Sequence, residues 1–167
     1  MRTLFIILFL ANIALGVVSL QILPPEVAMH FGGGGVPDSW GSREFSVLLS
    51  LFFNILMFPV FFFTSALVFA FPPRFVNLPN KNYWLAEENK AATREKLSLL
   101  MCEFGSAFYA FFIGVGLLSL QANLSDPVRL NETVFLAALG IFLLYTVWWC
   151  IKLYRGFRVP GEDGDNP

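Results

Sequence analysis

The residues with the clearest potential for metal chemistry surround His30, the only histidine of the chain. Two carboxylates, Glu26 and Asp38, lie close to it in sequence, and zinc accepts imidazole and carboxylate ligands. A stable zinc site usually has at least three protein ligands in a fixed geometry, whereas these donors are spread along a glycine-rich loop. We therefore expect His30 to hydrogen-bond within a folded loop, with direct ligand binding or metal binding as lesser alternatives. We predict no bound metal and no cofactor.

Four consecutive glycines, residues 32–35, follow the histidine. Glycine-rich loops can turn backbone N–H groups toward a phosphate. This run lacks the Lys-Ser/Thr pair that follows the glycines of a nucleotide-binding loop. A sharp turn, in which glycine tolerates a positive φ angle, explains the run better.

Two serines, Ser39 and Ser42, lie near His30 in sequence, and hydrolases pair serine with histidine. Nothing in the spacing orients these groups as a Ser-His-Asp triad. No other catalytic constellation appears in the chain. We therefore predict that this protein is not an enzyme.

Glu103 is a carboxylate about 9 Å along a helix from the nearer end of an apolar stretch. An ionisable group at that depth in a membrane is costly and is a functional hypothesis by default. A proton or ion relay needs partners, and no basic residue lies deep in any apolar stretch. We therefore favour a snorkelling or interhelically hydrogen-bonded carboxylate over a transport carboxylate. The other polar candidates at such depth are Asn12, Asn54, Thr64 and Ser65.

Four long apolar stretches must position these groups. The chain of 167 residues is 56% hydrophobic and 14% charged, whereas soluble proteins average roughly 25% charged residues. Crossing the hydrocarbon core takes about 20 apolar residues in a helix. We predict an all-α, integral membrane four-helix bundle with spans at about 3–23, 45–71, 97–120 and 133–154.

Nine of the eleven Lys and Arg residues lie on one side of this arrangement, and only Arg43 and Arg129 lie on the other. Positive loop residues are retained in the cytoplasm, so we predict that both termini are cytoplasmic. A cleaved signal peptide is the alternative for the first span, and it leaves the later spans oriented as before. The net charge of −1 makes nucleic-acid binding improbable.

Two connecting loops are expected to be structured. The outer loop, 23–44, holds helix-breaking prolines and glycines among apolar residues, and the inner loop, 72–96, becomes rich in helix formers after residue 86. We predict a single transmembrane domain over 1–160 and a disordered cytoplasmic tail over 161–167. The oligomeric state is not determined by the sequence.

Both loops carry motifs of a known family. Residues 23–31 read LPPEVAMHF, residues 35–42 read GVPDSWGS with Arg43 next, and residues 78–86 read LPNKNYWLA. The chain resembles domain of unknown function 1648, to which the N-terminal part of bacterial SdpI-type immunity and signalling proteins is similar. The resemblance covers about residues 3–96 and implies a multi-pass protein of the bacterial inner membrane with a recognition surface on each loop.

Our leading hypothesis is therefore a non-enzymatic membrane protein that recognises a peptide or a membrane partner through its outer loop. The residues proposed for this surface are His30, Phe31, Gly35, Asp38 and Trp40. The inner-loop motif, Pro79, Asn80, Lys81, Tyr83 and Trp84, would report that state or cap the bundle. The alternative is a small transporter, or a transporter subunit, that uses Glu103.

Overall fold

The computed structural model describes residues 1–160, so the predicted disorder of 161–167 lies outside the described residues. The chain is mostly helical, with one small sheet. Its elements in chain order are α1 (Arg2–Ile22), β1 (Glu26–Phe31), β2 (Pro37–Ser42), α2 (Arg43–Ala70), the one-turn α3 (Lys81–Trp84), α4 (Lys90–Asn123) and α5 (Glu132–Gly156).

The four long helices are each long and apolar enough to cross a membrane, as the sequence predicts. α4 has 34 residues, a length of about 51 Å at a rise of about 1.5 Å per residue. Since the hydrocarbon core is about 30 Å thick, part of α4 extends beyond it. This extension is the charged stretch before residue 97, which the sequence predicts to be helical and continuous with the third span.

Helices α1, α2 and α4 form the core of the bundle around buried aromatic side chains. Phe5 and Tyr109 are fully buried and their ring centroids are 5.4 Å apart. Gly105 of α4 lies so close to α1 that an added Cβ would come within 2.5 Å of the Phe5 ring. The fourth long helix, α5, packs along α4 through aromatic contacts such as Phe111 with Phe142.

The two strands are an addition to the predicted all-helical bundle. β1 and β2 pair in antiparallel fashion, with Val27 opposite Gly41 and Ala28 opposite Trp40. The glycine run between them forms a turn in which Gly34 and Gly35 have φ angles of 73° and 71°. We call residues 26–42 the hairpin, and the end of the bundle that carries it the hairpin end. The opposite end, with residues 72–89 and the end of α5, is the loop end.

Candidate functional site

One amide side chain fastens strand β1 of the hairpin to α4. Asn123, at the end of α4, accepts a hydrogen bond from the backbone N–H of Ala28 at 2.6 Å and donates one to the Ala28 carbonyl at 3.2 Å. Both residues are buried. The amide thus pairs with β1 as a neighbouring strand would, and it covers that edge of the sheet.

The glycine turn is fastened to the connection between α4 and α5. The Gly35 carbonyl accepts from the Leu130 N–H at 2.9 Å, and the Gly34 carbonyl accepts from Arg129 Nε at 2.9 Å. The Gly34 N–H donates to Glu132 Oε2 at 2.9 Å. A Cβ on Gly35 would lie 2.0 Å from the Leu130 carbonyl oxygen. Gly35, which the sequence assigns to the recognition surface, is therefore buried behind the turn, where its role is to permit this contact.

The remaining outer-loop residues lie on the other side of the hairpin. His30 Nδ1 and Asp38 Oδ1 are 2.6 Å apart, with 71% and 53% of their side chains exposed. A carboxylate only accepts, so the imidazole Nδ1–H donates here. Trp40 is 47% exposed and Phe31 is half-buried. Within residues 1–160 no three His, Cys, Asp or Glu side chains come close enough together to hold a metal ion.

The edge of β2 that points away from β1 is free at Trp40. Residues opposite one another in an antiparallel pair alternate between bonding each other and pointing their peptide groups outward. The Ala28 peptide groups point outward, to Asn123, so those of its partner Trp40 point outward from the opposite edge. Between residues 1 and 160, no other element or side chain bonds them. The structure thus places an unpaired strand edge beside the exposed Trp40 ring.

At the loop end, two residues of the inner motif hold the end of α5. Asn80 Nδ2 and Trp84 Nε1 both donate to the Phe157 carbonyl, at 2.9 Å and 2.8 Å. The Trp84 ring meets the fully buried Phe157 ring edge to face, with centroids 5.3 Å apart. These contacts make Trp84 part of a bundle cap. The Asn80 side chain hydrogen-bonds a carbonyl at the end of α5, not a backbone group of its own loop.

Lys96 and Thr93 of α4 complete this cap. The Lys96 ammonium lies 4.5 Å from the Trp84 ring centroid and donates to the Gly156 carbonyl. The Thr93 hydroxyl donates to the Trp84 carbonyl at 2.6 Å. Sequence reasoning did not find these two partners or Phe157, because they are joined to the motif only in three dimensions.

The other three residues of the inner motif are less enclosed. Lys81 donates to the Pro73 carbonyl at 3.4 Å, and Pro79 is half-buried. Tyr83 is 36% exposed and its ring packs edge-on against Trp84. Tyr83 is therefore the aromatic residue of this motif that another molecule can reach.

Glu103 forms an ion pair with a residue of α5. Lys152 Nζ is 2.6 Å from both of its carboxylate oxygens, and the Lys152 and Glu103 side chains are 41% and 18% exposed. The sequence places no basic residue deep in a span, and Lys152 indeed belongs to the last turns of α5, from where its long side chain reaches Glu103. An interhelical contact, which the sequence favours over a transport carboxylate, is what the structure contains.

Comparisons with known proteins place this chain in a family. A family model described as "Domain of unknown function (DUF1648)" matches residues 7–56, which cover most of α1, the hairpin and the first half of α2. An uncharacterized protein of Archaeoglobus fulgidus is 30% identical in an alignment of length 143 that covers 74% of this chain and 73% of the relative. No solved structure matches. The similarity to SdpI-type proteins and the bacterial origin stay predictions.

Proposed function

This chain belongs to the DUF1648 family, and we propose that it is a non-enzymatic multi-pass membrane protein that binds a peptide or protein partner through the exposed side of its hairpin. The function of this family is unknown, so the proposal comes from the geometry of the site. The four apolar helices supply the membrane setting.

The observation that carries this proposal is a hairpin that is anchored on one side and exposed on the other. Asn123 and the Leu130 backbone hold it from behind, while Trp40 and the His30–Asp38 pair face outward. A surface held in its binding conformation loses less entropy when a partner docks. Tryptophan is also among the residues that most often dominate binding energy at interfaces.

The open edge of β2 favours an extended peptide segment as the bound element. Peptides often bind by adding a strand to an exposed sheet edge, where main-chain hydrogen bonds give affinity and side chains give specificity. The outward peptide groups of Trp40 offer such main-chain bonds, and the His30–Asp38 pair offers a polar contact beside them. The edge of β1 is already occupied by Asn123.

The proposed orientation places the hairpin outside the cell and the loop end in the cytoplasm, with both termini inside. Two of the eleven Lys and Arg residues, Arg43 and Arg129, belong to the hairpin end, and positive residues concentrate on the cytoplasmic side. The proposed location is a cell membrane, the bacterial inner membrane if the source is bacterial. A partner arriving from outside then meets Trp40 first.

A pair of photoreactive residues tests the proposal in native membranes. One probe replaces Trp40, and the matched control replaces Phe75, an aromatic residue of the loop end that is 68% exposed. We expect a discrete crosslinked adduct from position 40 that is absent at position 75. Equal adducts at both positions, or none at position 40 under conditions where the probe reacts with added bilayer lipid, would overturn the proposal.

A further inference from the structure

A cavity of about 290 Å³ lies between α1, α2 and α4, directly under the hairpin. Met29 of β1 contributes to its roof. Serines 19, 46, 50 and 119 contribute hydroxyl groups to its wall, and every other lining residue is glycine or apolar. A wall with hydroxyls and without charge suits an uncharged ligand that carries both polar and apolar parts.

Loose packing does not explain this cavity, because the helices are in close contact beside it. A Cβ on Gly16 of α1 would lie 2.7 Å from a Leu51 methyl group of α2. A Cβ on Gly116 of α4 would lie 2.9 Å from a Leu15 methyl group of α1. The two glycines let the three helices come into contact. Both glycines also line the cavity, which stays open beside these contacts.

Three of the four hydroxyls in the wall are unpaired. Serine and threonine inside apolar helices usually donate to a carbonyl one turn earlier, as Ser19 does to Leu15 at 2.8 Å. Over residues 1–160, no hydrogen-bond partner occurs for the hydroxyls of Ser46, Ser50 or Ser119. Ser50 is exposed and Ser46 and Ser119 are half-buried, so a ligand in the cavity can reach all three hydroxyls. Its hydrogen bonds would satisfy polar groups that hydrocarbon leaves without partners.

A further unpaired polar atom lies one turn deeper along α2. Asn54 is 3% exposed and donates through Nδ2 to the Ser50 carbonyl at 2.8 Å. Its Oδ1 atom is buried without a partner among the described residues. The polar side chains of α2 therefore continue inward from the cavity at Ser46, Ser50 and Asn54.

The position of the cavity indicates where its ligand comes from. Ser50 is seven residues after the start of α2 at Arg43, about 10 Å along the helix. The polar layer of each leaflet is about 5–8 Å thick, so Ser50 would lie near the start of the acyl chains if α2 enters the membrane at its first residues. Two lining residues of α2, Leu49 and Phe53, are 39% and 47% exposed toward the lipid-facing surface. A molecule can therefore reach the cavity sideways from the leaflet.

From these features we propose that the cavity binds the uncharged glycerol part of a neutral glycerolipid, with Ser46, Ser50 and Ser119 bonding its oxygen atoms. The apolar tail leaves past Leu49 and Phe53. A volume of about 290 Å³ is at the lower end for small-molecule pockets, so it encloses a glycerol group and the first part of a chain. A phosphate headgroup finds no cation in the wall.

The test uses the full chain in nanodiscs and a monoacylglycerol that carries a photoreactive group in its acyl chain. We expect labelling to map to the segments around residues 46–53 and 112–120. Replacing Ser46, Ser50 and Ser119 together by alanine should reduce it about tenfold, the loss expected from one or two net hydrogen bonds. The control Ser65→Ala, at a buried serine of α2 that lies outside the wall, should leave labelling unchanged.

Competition completes the experiment. Unlabelled monoacylglycerol should displace the probe, and an anionic phospholipid at the same concentration should not. If the triple variant has a lower thermal unfolding midpoint, the single change Ser50→Ala is measured instead, with a smaller loss expected. Labelling that is unchanged by these substitutions, equally competed by the anionic lipid, or spread along α5 would overturn the proposal.

Discussion

One amide side chain at each end of this bundle joins a loop to a helix. Asn123 joins the hairpin to α4 through two bonds to Ala28, and Asn80 joins the loop end to the Phe157 carbonyl. Each amide satisfies backbone groups that have no partner in their own element. A buried backbone group without a partner costs about 1–3 kcal/mol, so both asparagines stabilise the contacts on which the proposed surfaces depend.

Replacing Asn123 by leucine is the sharpest test at the residue scale. The side chain keeps its shape, but the Ala28 N–H and C=O lose their partners, and we expect the free energy of unfolding to fall by about 2–3 kcal/mol. Hydrogen exchange of the amides in residues 26–42 should become faster. The control is Asn82→Leu, at an exposed asparagine for which residues 1–160 offer no side-chain hydrogen bond. Equal effects from both changes would show that Asn123 does not hold the hairpin.

At the scale of elements, α5 is the helix with the fewest attachments. It packs mainly along α4. Its polar ties to that helix are the Glu103–Lys152 ion pair, the Lys96 bond to the Gly156 carbonyl and a bond from Trp149 Nε1 to the Leu100 carbonyl at 3.2 Å. Removing one member of an ion pair leaves the other charge uncompensated, which costs more than removing both. The pair is therefore expected to act as a structural link between the two helices.

A double-mutant cycle measures this link. We expect Glu103→Gln to lower the free energy of unfolding by about 1–3 kcal/mol, and Lys152→Gln in the same chain to recover part of the loss. Thermal unfolding in detergent provides the comparison, and ion flux in proteoliposomes provides a second readout. A Glu103→Gln variant that folds normally and abolishes an ion flux would support the transport alternative instead.

The long helices could be predicted from the sequence, and the contacts between them could not. Apolar runs of about 20 residues have few structural solutions in a membrane, so all four spans follow from composition. The strands were missed because β1 and β2 are short and carry glycine, proline and charged residues. The Ala28–Asn123 pairing spans 95 positions of the chain, and Lys152 reaches Glu103 across 49. Such distances leave no local pattern.

The residues predicted for the two recognition surfaces fall into two groups, exposed residues and residues of internal contacts. His30, Asp38 and Trp40 are exposed together, as a recognition loop requires. Gly35 belongs instead to an internal contact, and Trp84 belongs to the bundle cap that was one of the two alternatives for the inner motif. A motif in a sequence marks residues that matter, but it does not separate those that face a partner from those that hold the loop.

For the molecule as a whole, the two ends have different charge and different architecture. The hairpin end carries a small sheet, and the loop end carries most of the cationic residues. If the positive side is cytoplasmic, a cysteine at position 33 should react with a membrane-impermeant maleimide in intact cells. A cysteine at position 82 should react only after permeabilisation. Cys102 and Cys150 are first replaced to remove background. The reverse pattern of labelling would invert the proposed topology.

Partner capture tests the central claim most directly. The tagged protein is purified in mild detergent from its native membrane, and the co-purified material is quantified for the unmodified chain, for His30→Ala with Trp40→Ala, and for the control Phe75→Ala. We predict that the double change lowers the captured partner at least about tenfold, the loss expected from one interface hot spot, while Phe75→Ala retains it at equal protein level. Undiminished capture by the double variant would contradict recognition through the hairpin.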